Sequence, residues 1–376
     1  MRYPYIRLFV LPLVFLILSV QISPAEQKPT AIGIVTPLTG ANQMFGQSVH
    51  RAIMIAHGLK PAVLDRPVEL HFFDTQSDDD LTSHGAELLI KEHNVSAVID
   101  GSPGSAMLAG SSIAGKERTP LLYPFVTTQA SGKNNTYSFI IGPLDSSESK
   151  AAALFANEIL GAGRAAVMID VSRDYSLRLS SVFMETFIGR GGAIVSVTYC
   201  QSKDRTLSEQ ITSISAAKPD LLYLADYPPT VVLTCQSLLD AELRISVIAS
   251  VKASTNEWMK EGKDAVEGLT IPGHFDRQAV TSERAQRFIE AYEEGTEETV
   301  TGIQALAADA YFLLADAIER AQSPAGYKIR KALTETENFD ALTGRITIDA
   351  KGRVMRDVVF HRIKEGSLEY LTKLIP

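Results

Sequence analysis

AIGIVTPLTGANQMFGQSVHRAIMIA, residues 31–56, is the stretch whose reading decides the fold. Residues 31–35 form a short apolar run, 36–46 a loop rich in Gly, Thr and Asn, and the remainder carries apolar residues at helical spacing. In an open α/β sheet, the loops at the carboxyl ends of the strands form the ligand crevice. The opening unit therefore predicts an α/β chain with a polar loop, Phe45 included, beside such a crevice.

The same rhythm continues outward. Apolar runs at 68–74 (VELHFFD), 97–100 (AVID) and 120–123 (PLLY) alternate with amphipathic helices predicted at 81–93 and 105–116. This alternation signals βαβ units and a parallel sheet. A second series runs through 165–170 (AAVMID), 193–199, 221–225 (LLYLA) and 246–249. Breaks fall at 141–145 (IGPLD), before a helix over 146–160 that Ser146 can cap with Ser149 in the capping-box position, and at Ile271-Pro272-Gly273. Helices follow at 282–294 and 303–321, and two strands, 344–349 and 357–363, flank a turn at 349–352. The two halves echo each other, which suggests two similar lobes.

The amino terminus bears on compartment. Arg2 and Arg7 precede an apolar run at 8–20, and Ser23-Pro24-Ala25 offers small residues before a cut. The run falls short of the roughly 20 residues a membrane span needs. A cleavable signal over residues 1–25 and an exported, soluble mature protein are expected. The absence of a Cys near the cut argues against a lipid anchor. The remaining length suggests two domains. A net charge of −8 with no Lys/Arg cluster argues against a nucleic-acid partner. Cys200 and Cys235 could pair in an oxidising compartment; two buried thiols are the alternative, since Cys200 ends a strand and Cys235 sits in a helical pattern.

Catalytic signatures are missing. The chain has no phosphate loop, no G-x-G-x-x-G, no G-x-S-x-G elbow and no H-E-x-x-H. Its seven His residues show no ligand spacing, so no metal or cofactor is expected. Asp78-Asp79-Asp80 lacks the Gly and terminal Glu of a calcium loop and reads as an acidic helix start. What the sequence does offer is small polar groups after strands: 36–46, then 100–105 (DGSPGS), then 124–128 (PFVTT). Ser105 near a helix start could cap that helix or hold an anion. Thr127 could be a turn residue or part of the same site.

These segments resemble the periplasmic binding proteins of branched-chain amino acid transporters, the leucine/isoleucine/valine type. The resemblance covers essentially the whole mature chain. It is carried by IGIVTPLTGANQMFGQS, VIDGSPGSAMLAG, PLLYPFVTT, IIGPLDSSESKAAALFA, AAVMIDVSRDYS, KPDLLYLADYPP and LTGRITIDAKG, in that order. It implies a type I periplasmic binding fold: two Rossmann-like α/β lobes with parallel central sheets, joined by a three-strand hinge. The implied lobes are 28–142 plus 273–345 and 143–272 plus 346–376. It also implies a small-molecule carboxylate ligand held at Gly104, Ser105, Phe125 and Thr127, with Phe45 walling the side-chain pocket. Tyr175 and Tyr227 would close from the other lobe.

One departure concerns the ligand. The family usually has an acid near Val251 to counter the ligand's ammonium; here the segment reads Ala249-Ser250-Val251-Lys252. Asp226 could take that role or could be exposed, and Lys252 could face the ligand or solvent. A carboxylate without an amine would avoid burying an unpaired ammonium, which is costly. The N-lobe Cys pair common in the family is also absent. The resemblance thus implies a non-enzymatic, monomeric solute-binding component in the periplasm, delivering an amino acid or an aromatic or aliphatic acid to the permease of an ABC transporter. A sensory protein presenting its ligand to a receptor is the alternative.

Overall fold

The computed structural model describes residues 28–103, 110–127, 136–253, 258–259, 262–349 and 354–376. The signal expected at residues 1–25 lies outside them. The opening stretch folds as strand β1 (Thr30–Thr36) and helix α1 (Gln43–Leu59). Then come β2 (Ala62–Val63), β3 (Arg66–Asp74), α2 (Asp79–Lys91), β4 (Ala97–Asp100), α3 (Ser111–Glu117), β5 (Leu121–Tyr123) and β6 (Ser138–Ile140). Their sheet has the order β2-β3-β1-β4-β5-β6, parallel except for the short antiparallel β2.

The alternation of β1 sets the two faces of this sheet. Ile32 and Ile34 join Val49, Ile53 and Ile99 in one core; Val35 joins Leu89, Val98 and Leu121 in the other. Both faces are covered, which is why the strands read as continuous apolar runs. Asp78 accepts the Leu81 N–H at 2.9 Å and caps α2, so the acidic triplet is a helix start.

The chain then crosses to a second unit: α4 (Asp145–Leu154), β7 (Arg164–Asp170), α5 (Asp174–Gly189), β8 (Ala193–Cys200), α6 (Ser208–Ala217), β9 (Leu221–Leu224), α7 (Pro228–Asp240), β10 (Ser246–Ala249) and β11 (Thr270–Gly273). After β11 it returns. Helices α8 (Glu283–Thr296), α9 (Gly302–Ala321) and α10 (Gly326–Thr334) pack on the first core through Phe288, Leu313 and Leu333. A small sheet follows, made of β12 (Phe339–Ala341), β13 (Gly344–Ile348) and β14 (Val354–Arg356). A third crossing leads to β15 (Val358–Lys364) and β16 (Ser367–Leu374), completing the order β16-β15-β11-β10-β9-β7-β8.

At the break expected at 271–273, Pro272 lies in the buried strand β11, opposite Phe360 of the antiparallel β15, and the chain returns directly after that strand. Two sequence expectations change. The strand at 344–348 pairs with 354–356, not with 358–364, and its Ile346 and Ile348 pack in the first core with Val354. Ser146 caps nothing: α4 begins at Asp145 with Leu144 as its N-cap, and Ser149 donates to the Leu179 carbonyl at 2.5 Å instead of closing a capping box.

Cys200 and Cys235 are both free and buried in one apolar cluster of the second unit, so the thiol reading holds over the disulfide. No helix among the described residues is long and apolar enough to cross a membrane.

Candidate functional site

On the first lobe, the loop after β1 is drawn onto the loop after β3. Asp74 accepts the N–H groups of Leu38 (2.8 Å) and Thr39 (3.1 Å) and the Thr39 hydroxyl (2.7 Å). Two glycines permit this. Gly40 has φ +85°, and a Cβ at Gly46 would collide with the Pro37 carbonyl. The first turn of α1 therefore sits close on the loop and presents Phe45. Its ring meets Phe125, in the loop after β5, edge-on with centroids 4.8 Å apart. Both rings are half-buried.

Thr127 stands where the chain leaves this lobe. Its carbonyl accepts the Asp145 N–H at 2.8 Å, and its hydroxyl lies beside the Asp145 carboxyl. Burial raises the pKa of Asp145, with Thr127, Lys252 and Arg178 (3.7 Å away) opposing. Thr127 and Asp145 share an open cavity of about 590 Å³ with Arg178, Leu179 and Val182 of α5. The other first-lobe candidates, Gly104 and Ser105, and the first residues of the helix predicted at 105–116 lie outside the described residues.

On the second lobe the aromatic candidates come together. Tyr175, in the first turn of α5, is 9% exposed, and its ring lies 5.9 Å from that of Tyr227, which precedes α7. Arg173 stacks over Tyr227 at 4.4 Å, and Lys252 Nζ stands 5.9 Å from the Tyr175 ring. Lys252 is half-buried in the turn Val251–Ala253, so it is not the freely solvated loop residue its sequence neighbourhood permitted.

Asp226 is fully buried, which removes the exposed alternative. One oxygen accepts the Tyr227 N–H at 2.7 Å and faces Arg173 at 3.5 Å. The other has no partner within hydrogen-bond geometry, although the Thr230 hydroxyl lies beside it. Burial pushes its carboxyl up to about 6, against the Tyr227 N–H, with the Asp170 charge adding to the rise.

One acid of this cluster was not among the sequence candidates. Glu148, in the first turn of α4, is 2% exposed, and burial pushes it up to about 8. Its Oε1 accepts the Val251 N–H at 2.9 Å and its Oε2 the Tyr175 hydroxyl at 3.4 Å. The signal was present in the spacing. Asp145, Glu148, Ser149 and Ala152 fall on one helical stripe, and all four are buried.

Residues 29–367 match the periplasmic binding protein family. The chain belongs to this family. The leucine-binding protein LivK of Thermotoga maritima is 32% identical; the similarity covers 92% of this chain and 99% of that one, with a TM-score of 0.70. A putative branched-chain amino acid ABC transporter protein of Rhodospirillum rubrum is 24% identical over 92% of this chain and all of that one, with a TM-score of 0.81. A solute-binding protein of Rhodopseudomonas palustris in complex with benzoate is 17% identical over 93% and 97% of the two chains, with a TM-score of 0.64. No curated protein matches.

For this periplasmic binding protein, the resemblance read from its motifs is borne out, as is the two-lobed α/β fold of the leucine/isoleucine/valine type. The three crossings lie between β6 and α4, after β11, and between β14 and β15.

Proposed function

We propose that the protein is the solute-binding component of an ABC transporter, capturing a small carboxylate-bearing molecule between its lobes for delivery to a permease. One observation carries this reading. Thr127 of the first lobe holds Asp145 at the start of α4, and one turn along the same helix Glu148 leads on through Tyr175 to Tyr227 in the second lobe. A ligand touching both ends of such a path favours the closed arrangement of the lobes by its differential affinity for it.

In this reading the carboxylate end is held by Gly104, Ser105, Phe125 and Thr127, and Phe45 walls the apolar pocket. Tyr175 and Tyr227 close over the ligand, and Asp226 and Lys252 set its charge preference. A leucine-binding protein and a benzoate complex both stand among the similar structures, which supports a pocket able to serve either an amino acid or an aromatic acid. The protein is read as a periplasmic monomer, exported on a cleaved signal, that binds without turnover.

Thermal-shift measurement with leucine, isoleucine, benzoate and 4-hydroxybenzoate tests the class, because binding the native state alone raises stability. At least one acid is expected to stabilise the protein strongly. No shift with any carboxylate would sink the ligand class, and release of a chemically altered product would overturn binding without turnover.

A further inference from the structure

Glu148 is no ligand contact of the proposed site, yet its carboxyl group joins three separate segments. Oε1 holds the Val251 N–H at 2.9 Å, at the head of the turn that carries Lys252, and Oε2 holds the Tyr175 hydroxyl at 3.4 Å. The residue beside that turn, Ser250, donates to the Asp226 carbonyl at 3.0 Å. Tyr227, next to Asp226, returns to Tyr175 through their rings at 5.9 Å. The contacts therefore close into a ring: Glu148, Val251, Ser250, Asp226, Tyr227, Tyr175. Every second-lobe candidate for ligand contact sits on that ring or one residue from it.

We propose that Glu148 is a positioning residue of the ligand site, its carboxyl group locking the turn that carries Lys252 to the helix that carries Tyr175. An acid buried this deeply is costly unless its oxygens are hydrogen-bonded. Both oxygens are used, and each is used on a different element. Asp145 from its own helix, Tyr175 from α5, Tyr223 from β9 and Lys252 from the turn are the ionisable groups that face it. None of these is a cation within ion-pair distance among the described residues, so the two hydrogen bonds, not a salt bridge, are what the carboxyl group supplies. Without them the Val251–Ala253 turn loses its tie to α4 and α5, and Lys252 and Tyr175 lose their common register.

The ligand arm of the test rests on the solute-binding reading; the other arm does not. Amide hydrogen exchange of the ligand-free protein reads the lock directly at Val251. Glu148→Ala is expected to speed that exchange at least tenfold. Glu148→Gln, which can accept from Val251 and still pair with Tyr175, should stay within threefold of the parent. In parallel, the stabilising probe among leucine, isoleucine and benzoate should bind at least tenfold more weakly to Glu148→Ala and be restored within threefold by Glu148→Gln. Tyr175→Phe removes one arm of the lock and keeps the ring; it should speed Val251 exchange at least threefold, and this decides the matter if Glu148→Ala does not fold. Unchanged Val251 exchange in Glu148→Ala or Tyr175→Phe overturns the proposal. So does faster exchange with unchanged ligand affinity, or a Glu148→Gln protein as defective as the alanine variant. If no probe stabilises the parent protein, the ligand class fails and the exchange arm still judges the lock.

Discussion

Arg356 donates from Nη1 to the Ile141 carbonyl at 2.8 Å, tying the third crossing between the lobes to the first. The guanidinium is 2% exposed and faces the Asp309 carboxylate of α9 at 3.4 Å. Asp309 in turn accepts the N–H groups of Leu342 (2.6 Å) and Thr343 (3.1 Å), in the turn between β12 and β13 of the small sheet. The hinge is thus anchored in the first core by one buried ion pair.

Removing one member of that pair leaves the other buried and uncompensated. Arg356→Met is expected to cost about 3–5 kcal/mol, read as a lower midpoint in urea. The double variant Arg356→Met/Asp309→Asn should recover part of that loss. If the single variant is as stable as the parent, the pair does not anchor the hinge.

Thr127 tests the first-lobe side of the site. Thr127→Ala keeps the backbone carbonyl that Asp145 uses and removes only the hydroxyl. The cost to stability should be about 1 kcal/mol, while the thermal shift from a stabilising carboxylate should fall to a small fraction of its parent value. Retention of the full shift would misplace the carboxylate end.

Asp226 tests the charge preference. Burial holds its carboxyl up to about 6, so it is mostly neutral below that pH and mostly charged above it. If Asp226 counters a ligand ammonium, affinity for leucine should rise as pH increases through about 6, and Asp226→Asn should flatten the profile. Benzoate, which has no amine, should show no such gain. Equal pH profiles for the two ligands would remove Asp226 from this role.

Glu148 makes a separate prediction for stability. Its ordinary value is 4.5, and burial raises it to about 8 in the folded protein. Between those values the folded state binds more protons than the unfolded one. The contribution is fully present below pH 4.5 and is lost as pH rises through about 8. Measured against Glu148→Gln, the parent protein should therefore lose relative stability across that window. A relative gain with rising pH would show that the folded state favours the charged carboxylate.

The two thiols should be silent. Cys200 and Cys235 are buried, and burial pushes both up to about 12. Neither should react with a thiol reagent in the native state, both should react in denaturant, and reductant should leave the melting temperature unchanged. Loss of stability on reduction would reveal a bond between them.

Much of this protein was determined by its sequence alone. The two series of apolar strands alternating with amphipathic helices were legible because a parallel sheet covered on both faces needs apolar side chains in both directions along each strand. Ile32, Ile34 and Val35 meet that need locally. The family was legible too, because its motifs occur in order along the chain. What the sequence could not decide was pairing and burial across long separations. Pro272 marks the end of a unit locally, and only its neighbours in the sheet make it a strand residue as well. Asp226 could have been exposed or buried, and only the closing of the β7 and β9 ends around it settles that it is buried. Glu148 looks like one more polar residue near a helix start. Its partners, Tyr175 and Val251, lie 27 and 103 residues away, so its place in the site exists only once α4, α5 and the turn after β10 have packed together.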